Sequence, residues 1–148
     1  IIVEAVARSG RRALLSSGLA GLGEGPLPAS CMAVGTINHQ LLFPALAAVV
    51  HHGGAGTTAC AARAGVPQVI VPQLFDQPYW AARMHALSVA PPPVPKRFSA
   101  RTLAAAIRQA TEEPSFAASA AALKERLRAE DGTAAAVRLL EARHGRHR

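Results

Sequence analysis

The sequence predicts an α/β protein with a parallel sheet flanked by helices, and three observations carry that prediction. Short apolar runs alternate with longer alanine-rich runs, 50% of the residues are hydrophobic, and each of four apolar runs ends in a polar or glycine-bearing segment. Apolar runs bounded by turn residues suit buried strands, and their alternation with helices favours parallel pairing. A chain of 148 residues can hold one domain with a real core.

Taken in order, a helix over residues 1–8 leads to a strand over 12–16, and a second strand is expected over 31–35. A short helix over 39–44 precedes the apolar run Ala45 to Val50, which gives a strand over 46–51. The alanine-rich stretch Thr57 to Ala64 gives a helix over 57–64. Gly65-Val66-Pro67-Gln68-Val69-Ile70-Val71-Pro72 reads as a strand over 67–72 with turn residues on both sides. Pro78 suits the first turn of a helix over 77–87. Ala90-Pro91-Pro92-Pro93-Val94-Pro95 is a stiff connector, too short for a domain linker. Helices over 101–112, 115–129 and 132–143 close a single domain of residues 1–143, and the basic tail Arg143-His144-Gly145-Arg146-His147-Arg148 is expected to be disordered over 144–148. No internal repeat is found.

The formal charge of +7 invites a nucleic-acid reading, but its distribution argues against one. The segment from Lys96 onward carries 11 Lys/Arg and 6 Asp/Glu, and the segment before it 5 and 3. On the last helices Arg126, Arg128, Arg138 and Arg143 alternate with Glu125, Glu130 and Glu141, as on a solvated, salt-bridged face. Aromatics for stacking are few and no recognisable module is present. Basic amphipathic helices can rest on an anionic membrane surface, so a peripheral contact stays open. Cys31 and Cys60 have no framework or metal-cluster spacing and read as small hydrophobes. No apolar stretch reaches the roughly 18 residues that span a bilayer, and no signal peptide is visible, which makes the cytoplasm the expected compartment. The abundance of Ala, Arg, Gly and Pro is compatible with a GC-rich bacterial gene.

Right-handed crossovers put the C-terminal ends of parallel strands along one edge, where ligands of open α/β sheets bind. Every polar motif falls there: Ser16-Ser17-Gly18, Gly35-Thr36-Ile37-Asn38, His51-His52-Gly53 and Gln73-Leu74-Phe75-Asp76-Gln77. The richest is His51-His52-Gly53-Gly54-Ala55-Gly56-Thr57-Thr58, where a strand gives way to a helix. Glycine permits positive φ and close backbone approach, and the first N–H groups of a helix lack internal partners at the positive end of its dipole. The stretch therefore reads as a diphosphate cradle. It lacks the lysine of a Walker loop and the spacing G-x-G-x-x-G. The alternative is a tight turn with no ligand. His51 and His52 leave the strand toward opposite sides, so His51 is expected in the cradle and His52 is as readily a packing residue. Adjacent histidines rarely share a metal ion without further ligands, so no metal site is expected. Gln73 to Gln77 makes a second polar site after the next strand, in which Asp76, ahead of Pro78, also suits a helix N-cap. His39 is placed near the cleft, and His85, His144 and His147 on helix surfaces or the tail.

The stretch from His51 to Trp80 resembles the donor-binding signature of the nucleotide-sugar glycosyltransferases with the two-domain B-type fold. With Ala90 to Pro95 it is most similar to the sterol glucosyltransferases and their bacterial relatives, antibiotic glycosyltransferases following closely. The likeness spans nearly the whole chain, is specific in the central thirty or so residues and is loose beyond Arg101. It implies a Rossmann-like parallel sheet that forms one half of a two-domain enzyme. The chain opens at Ile1 inside a helix, and family members place a strand, a Gly/Ser loop and an acceptor-binding domain before it, so the chain is expected to be truncated.

The resemblance implies that His51 and Thr57 contact the donor phosphates, with backbone N–H groups of Gly53, Gly54, Ala55 and Gly56. Charge growing on a leaving diphosphate is stabilised by such preorganised donors without a metal ion. Asp76 and Gln77 would bind sugar hydroxyls, and Ile37, Asn38 and Ser17 would line the nucleoside. Plant relatives carry a tryptophan and a glutamine around Ile37 and Asn38, so the base is expected to meet backbone groups of Ile37 and apolar packing. Close bacterial relatives often have a tryptophan where Gly18-Leu19-Ala20-Gly21 carries Leu19. The implied activity is inverting transfer of a hexose, glucose from UDP-glucose, to a hydroxyl of a lipophilic acceptor such as a sterol, terpenoid or polyketide. No cofactor is implied. A dTDP-deoxysugar transferase of antibiotic biosynthesis and a nucleotide-sugar-binding subunit that works with a separate partner are the alternatives. The general base that inversion needs is a histidine of the family's N-terminal domain, so this chain alone is expected to transfer no sugar.

Overall fold

The computed structural model describes residues 1–17 and 25–144. Leu19 with its Gly18–Gly21 loop, and residues 145–148 of the basic tail, lie outside the described residues. Helix α1 (Ile2–Ser9) precedes strand β1 (Ala13–Ser16), and β2 (Cys31–Val34) follows. A short helix α2 (His39–Leu42) runs into a 3-10 turn at Phe43–Ala45. Strand β3 (Val49–His51), helix α3 (Ala55–Ala64), strand β4 (Gln68–Ile70) and helix α4 (Gln77–Ala86) form the centre. Helices α5 (Ala100–Glu112), α6 (Pro114–Arg128) and α7 (Gly132–His144) complete the chain.

All strand pairing is parallel, as the alternation predicts, but the ladder is broken in two. Strand β1 pairs with β2, Ala13 opposite Cys31, and β3 pairs with β4, Val49 opposite Gln68. β3 is shorter than expected because Pro44 sits at the start of a 3-10 turn that holds Phe43–Ala45, so extended pairing begins only at Val49. The proline-rich connector takes the free side of β4. Gln68 N–H donates to Val89 O at 2.9 Å, and Val94 N–H donates to Ile70 O at 2.9 Å. The three intervening prolines have no N–H to give, and the residues at both ends supply the pairing.

β4 is buried on both faces. Val69 and Val71 pack with Leu103, Ala104, Ile107 and Ala110 of α5 and with Ala5 of α1. Ile70, pointing the other way, packs with Ala62 of α3, Ala81 and Met84 of α4, and Ala120 and Leu123 of α6. A third cluster joins Val49 to Phe43, Ala61 and Val66. Cys31 is buried with Val6 and Leu15, and Cys60 packs at the edge of the Val49 cluster. On the basic helices Arg128 meets Glu125 at 3.5 Å with both side chains exposed, a pair worth little in water.

Helix α3 ends at Gly65, left-handed at φ 76°, whose N–H bonds to the carbonyls of Ala61 and Ala62. A Cβ there would lie 2.8 Å from Cδ of Lys124, which can move aside, and 3.2 Å from its Cβ, which can give only slightly. Gly65→Ala is therefore expected to cost about 1–2 kcal/mol, mostly the left-handed backbone penalty; a loss above about 3 kcal/mol in urea unfolding would show that Lys124 does not yield.

Candidate functional site

Each parallel pair brings the C-terminal ends of its two strands together, Ser16 beside Val34 and His51 beside Ile70. Ser17 leaves β1 with its N–H donating to Val34 O at 3.1 Å, so it sits at the ends of both β1 and β2. Ile37 is half-buried and Asn38 exposed. Asn38 is the N-cap of α2, its Oδ1 accepting from Gln40 N–H at 2.9 Å, which leaves its amide NH2 to meet a ligand.

The β3–α3 turn is built around Gly53, at φ 93°. A Cβ at Gly53 would lie 2.8 Å from Cγ2 of Ile70 and 3.2 Å from the backbone oxygen of Gln77. The turn therefore packs directly on the first residue of α4, which brings the glycine-rich stretch against the Asp76-Gln77 pair. Gly54 is the N-cap of α3 and offers no side-chain cap. The N–H groups of Ala55, Gly56 and Thr57 precede the first internal acceptor of the helix, at the positive end of its dipole. Thr57 is half-buried at this end, whereas Thr58 is buried and donates its hydroxyl to Gly54 O at 2.9 Å. Thr58 thus has the structural position, and Thr57 stands beside the helix N-terminus.

The two histidines divide sharply. Gly53 N–H donates to Nδ1 of His51 at 3.0 Å, and Nε2 of His51 lies 2.9 Å from Oε1 of Gln68. Because a backbone N–H only donates, Nδ1 carries no proton and Nε2 carries it toward Gln68. Burial is the chief cause holding the His51 pKa down from 6.5 to about 4; the Gln68 hydrogen bond opposes it and the nearby His52 adds to it. In this geometry His51 is a neutral, internally bonded residue, and the Gly53 N–H expected in the cradle is engaged by it. His52 is exposed, and its ring lies across the N-cap, since a Cβ at Gly54 would come 2.6 Å from His52 Nε2. The expectation is thus reversed: His51 is the histidine held inside the turn, and His52 is the exposed one.

Asp76 occupies the N-cap position of α4 without capping it through its side chain. Its Oδ2 accepts from the indole N–H of Trp80 at 2.7 Å, which holds the exposed carboxylate in one orientation with its other oxygen open. Gln77 Oε1 accepts from the N–H groups of Gln73 and Leu74, at 2.8 and 3.0 Å, so the amide shapes the loop and keeps only its NH2 for a ligand. Phe75, just before Asp76 in sequence, is 90% exposed at φ 55°. The ring of His39 stacks on Phe43 at 4.7 Å, and His85 Nδ1 lies 3.0 Å from Ala90 O. Among the described residues no group of three or more His, Cys, Asp or Glu could hold a metal ion, and no helix is long and apolar enough to cross a membrane.

Sequence reasoning does not reach Gln68, which is fully buried. Its signal is a single polar side chain inside the apolar run Val66 to Val71, and its partner His51 is seventeen residues away.

A parallel α/β edge that gathers an open helix N-terminus, a glycine turn and an oriented carboxylate is the place where ligands of open α/β sheets bind. The chain belongs to the family described as Erythromycin biosynthesis protein CIII-like, C-terminal domain, which matches residues 19–142 and is the C-terminal domain of glycosyltransferases of the two-domain B type. It is 47% identical over 138 residues to the O-mycaminosyltylonolide 6-deoxyallosyltransferase of Streptomyces fradiae, covering 93% of this chain and 32% of that protein. It is 41% identical over 140 residues to a sterol 3-beta-glucosyltransferase of Arabidopsis thaliana, covering 93% of this chain and 22% of the relative. The crystal structure of the glycosyltransferase VinC in complex with dTDP superposes with a TM-score of 0.77 at 34% identity, over 86% of this chain and 33% of that one. The chain thus spans about a third or less of these relatives.

Proposed function

We propose that the chain is the donor-binding part of an inverting, metal-independent glycosyltransferase that moves a hexose, glucose from UDP-glucose, onto a hydroxyl of a lipophilic acceptor such as a sterol, terpenoid or polyketide. The packing of Gly53 against Gln77 carries this reading, because a diphosphate at the start of α3 then has its sugar beside Asp76. The N–H groups of Ala55, Gly56 and Thr57 and the Thr57 hydroxyl hold the phosphates, with His51 beneath the turn. These donors are in place before negative charge develops on the leaving diphosphate. Asp76, steadied by Trp80, accepts from sugar hydroxyls, and the free NH2 of Gln77 donates to one. Ser17, Ile37 and Asn38 line the nucleoside. With both nitrogens of His51 engaged, the acceptor proton passes to a base in another part of the full-length protein, and this chain alone transfers no sugar.

The likeness to a 6-deoxyallosyltransferase and to a dTDP complex supports a second reading, a dTDP-deoxysugar donor. Calorimetric titration of the chain with UDP, dTDP and UDP-glucose, in the presence of a chelator, tests both. Under the first reading UDP binds more tightly than dTDP and UDP-glucose more tightly than UDP. Asp76→Ala should remove the advantage of the sugar, about tenfold for a lost charge-assisted hydrogen bond, and leave UDP affinity unchanged. Preference for dTDP selects the second reading. No nucleotide binding by a folded chain rejects both.

A further inference from the structure

The β3–α3 turn contains a run of hydrogen bonds whose direction is fixed throughout. Gly53 N–H is a donor by its chemistry, so His51 Nδ1 accepts, at 3.0 Å. His51 Nε2–H must then donate, and the Gln68 atom 2.9 Å away is its carbonyl oxygen, Oε1. That orientation turns the Gln68 NH2 toward Thr58 O at 3.4 Å and Sδ of Met84 at 3.6 Å. Gln68 is 0% exposed and sits on β4 between α3 and α4, so its amide has no water to exchange with and no room to swing. We infer that Gln68 is a positioning residue for the donor site: by accepting from His51 it fixes the histidine tautomer, and the histidine in turn fixes Gly53 and the entry to α3. The inference rests on the proposed diphosphate reading for its consequence in binding, but not for the geometry itself.

Which ring nitrogen of a histidine is protonated is set by the partner of the other. Without an acceptor at Gln68 the His51 proton is free to move to Nδ1, where it would face the Gly53 N–H donor to donor. The bond that holds the turn would then be lost, and with it the fixed entry to α3 that sets the unpartnered N–H groups of Ala55, Gly56 and Thr57. Misplacement of binding groups by about 1 Å can cost up to a hundredfold.

The tests are ring-nitrogen NMR of His51, amide exchange at Gly53 and UDP titration, for the unsubstituted chain and for Gln68→Met, which removes the acceptor at similar volume. The unsubstituted ring is expected as the Nε2–H tautomer at pH 7. Gln68→Met should populate the Nδ1–H form, speed Gly53 exchange at least tenfold and weaken UDP about tenfold. An unsubstituted ring protonated at Nδ1 overturns the inference, and needs no variant to fold. So does a folded Gln68→Met with unchanged tautomer and with Gly53 exchange and UDP affinity within twofold. If the unsubstituted chain binds no UDP while tautomer and exchange respond as described, the positioning role stands and the diphosphate reading fails.

Discussion

Gly53→Ala is expected to destabilise the chain by about 3 kcal/mol and to abolish nucleotide binding. Two separate costs meet at this position. The backbone stands at φ 93°, where an L-residue is penalised by about 1–2 kcal/mol. The new methyl would also approach Cγ2 of Ile70 to 2.8 Å and the Gln77 backbone oxygen to 3.2 Å. Ile70 is only 2% exposed, wedged among α3, α4 and α6, and Gln77 is the first residue of a helix, so neither can withdraw as the Lys124 side chain can at Gly65. Overpacking of this kind costs about 1–3 kcal/mol. Against a total stability of about 5–15 kcal/mol for a typical domain, the variant would retain a fold with a measurably lower urea midpoint. The relief available is separation of the β3–α3 turn from α4, which parts the diphosphate end from the sugar end. A loss below about 1 kcal/mol, relative to the uncertainty of such comparisons, together with unchanged UDP binding, would show that the two loops are not tightly joined.

The site edge was legible in the sequence because its punctuation is local. Gly53, Gly54, Gly56, Gly65, Pro67, Pro72 and Pro78 mark the ends of β3, α3, β4 and the start of α4, and the structure places those elements within a few residues of the expected bounds. What the sequence could not convey depends on partners distant along the chain. Neither the tautomer of His51 nor the loss of the Gly53 N–H to it follows from His51-His52-Gly53 alone, because Gln68 on the neighbouring strand decides both. The same holds for Gln77, whose oxygen is taken by the loop before it. The strand-like pairing of Val89 and Val94 with β4 was concealed by prolines, which argue against a strand in any local reading. Asp76 shows the converse: the sequence left it between helix cap and sugar ligand, and the indole of Trp80, four residues on, draws the carboxylate away from the helix end.

Acidification is expected to weaken the chain through His51 well before the ordinary carboxylates protonate. The folded pKa is about 4, below the unfolded value of 6.5, with burial as the main cause. The stabilising contribution of the neutral ring is therefore complete above about pH 6.5. It declines as pH falls, because the unfolded chain takes up a proton that the folded chain refuses, and it is exhausted near pH 4. At about 1.36 kcal/mol per unit, the fall from pH 6.5 to 5 removes about 2 kcal/mol, and the full window about 3. Protonation would also place a hydrogen on Nδ1 against the Gly53 N–H, so the same titration that lowers stability disrupts the diphosphate turn. Urea unfolding at pH 7 and pH 5, compared between the unsubstituted chain and His51→Asn, isolates this contribution, since all other titrating groups are common to both. An Asn at this position keeps a carbonyl within reach of Gly53 and cannot take up the proton. The unsubstituted chain should lose about 2 kcal/mol more than the variant between the two pH values. Equal losses would mean that His51 titrates normally and that the buried, singly protonated ring does not hold the turn.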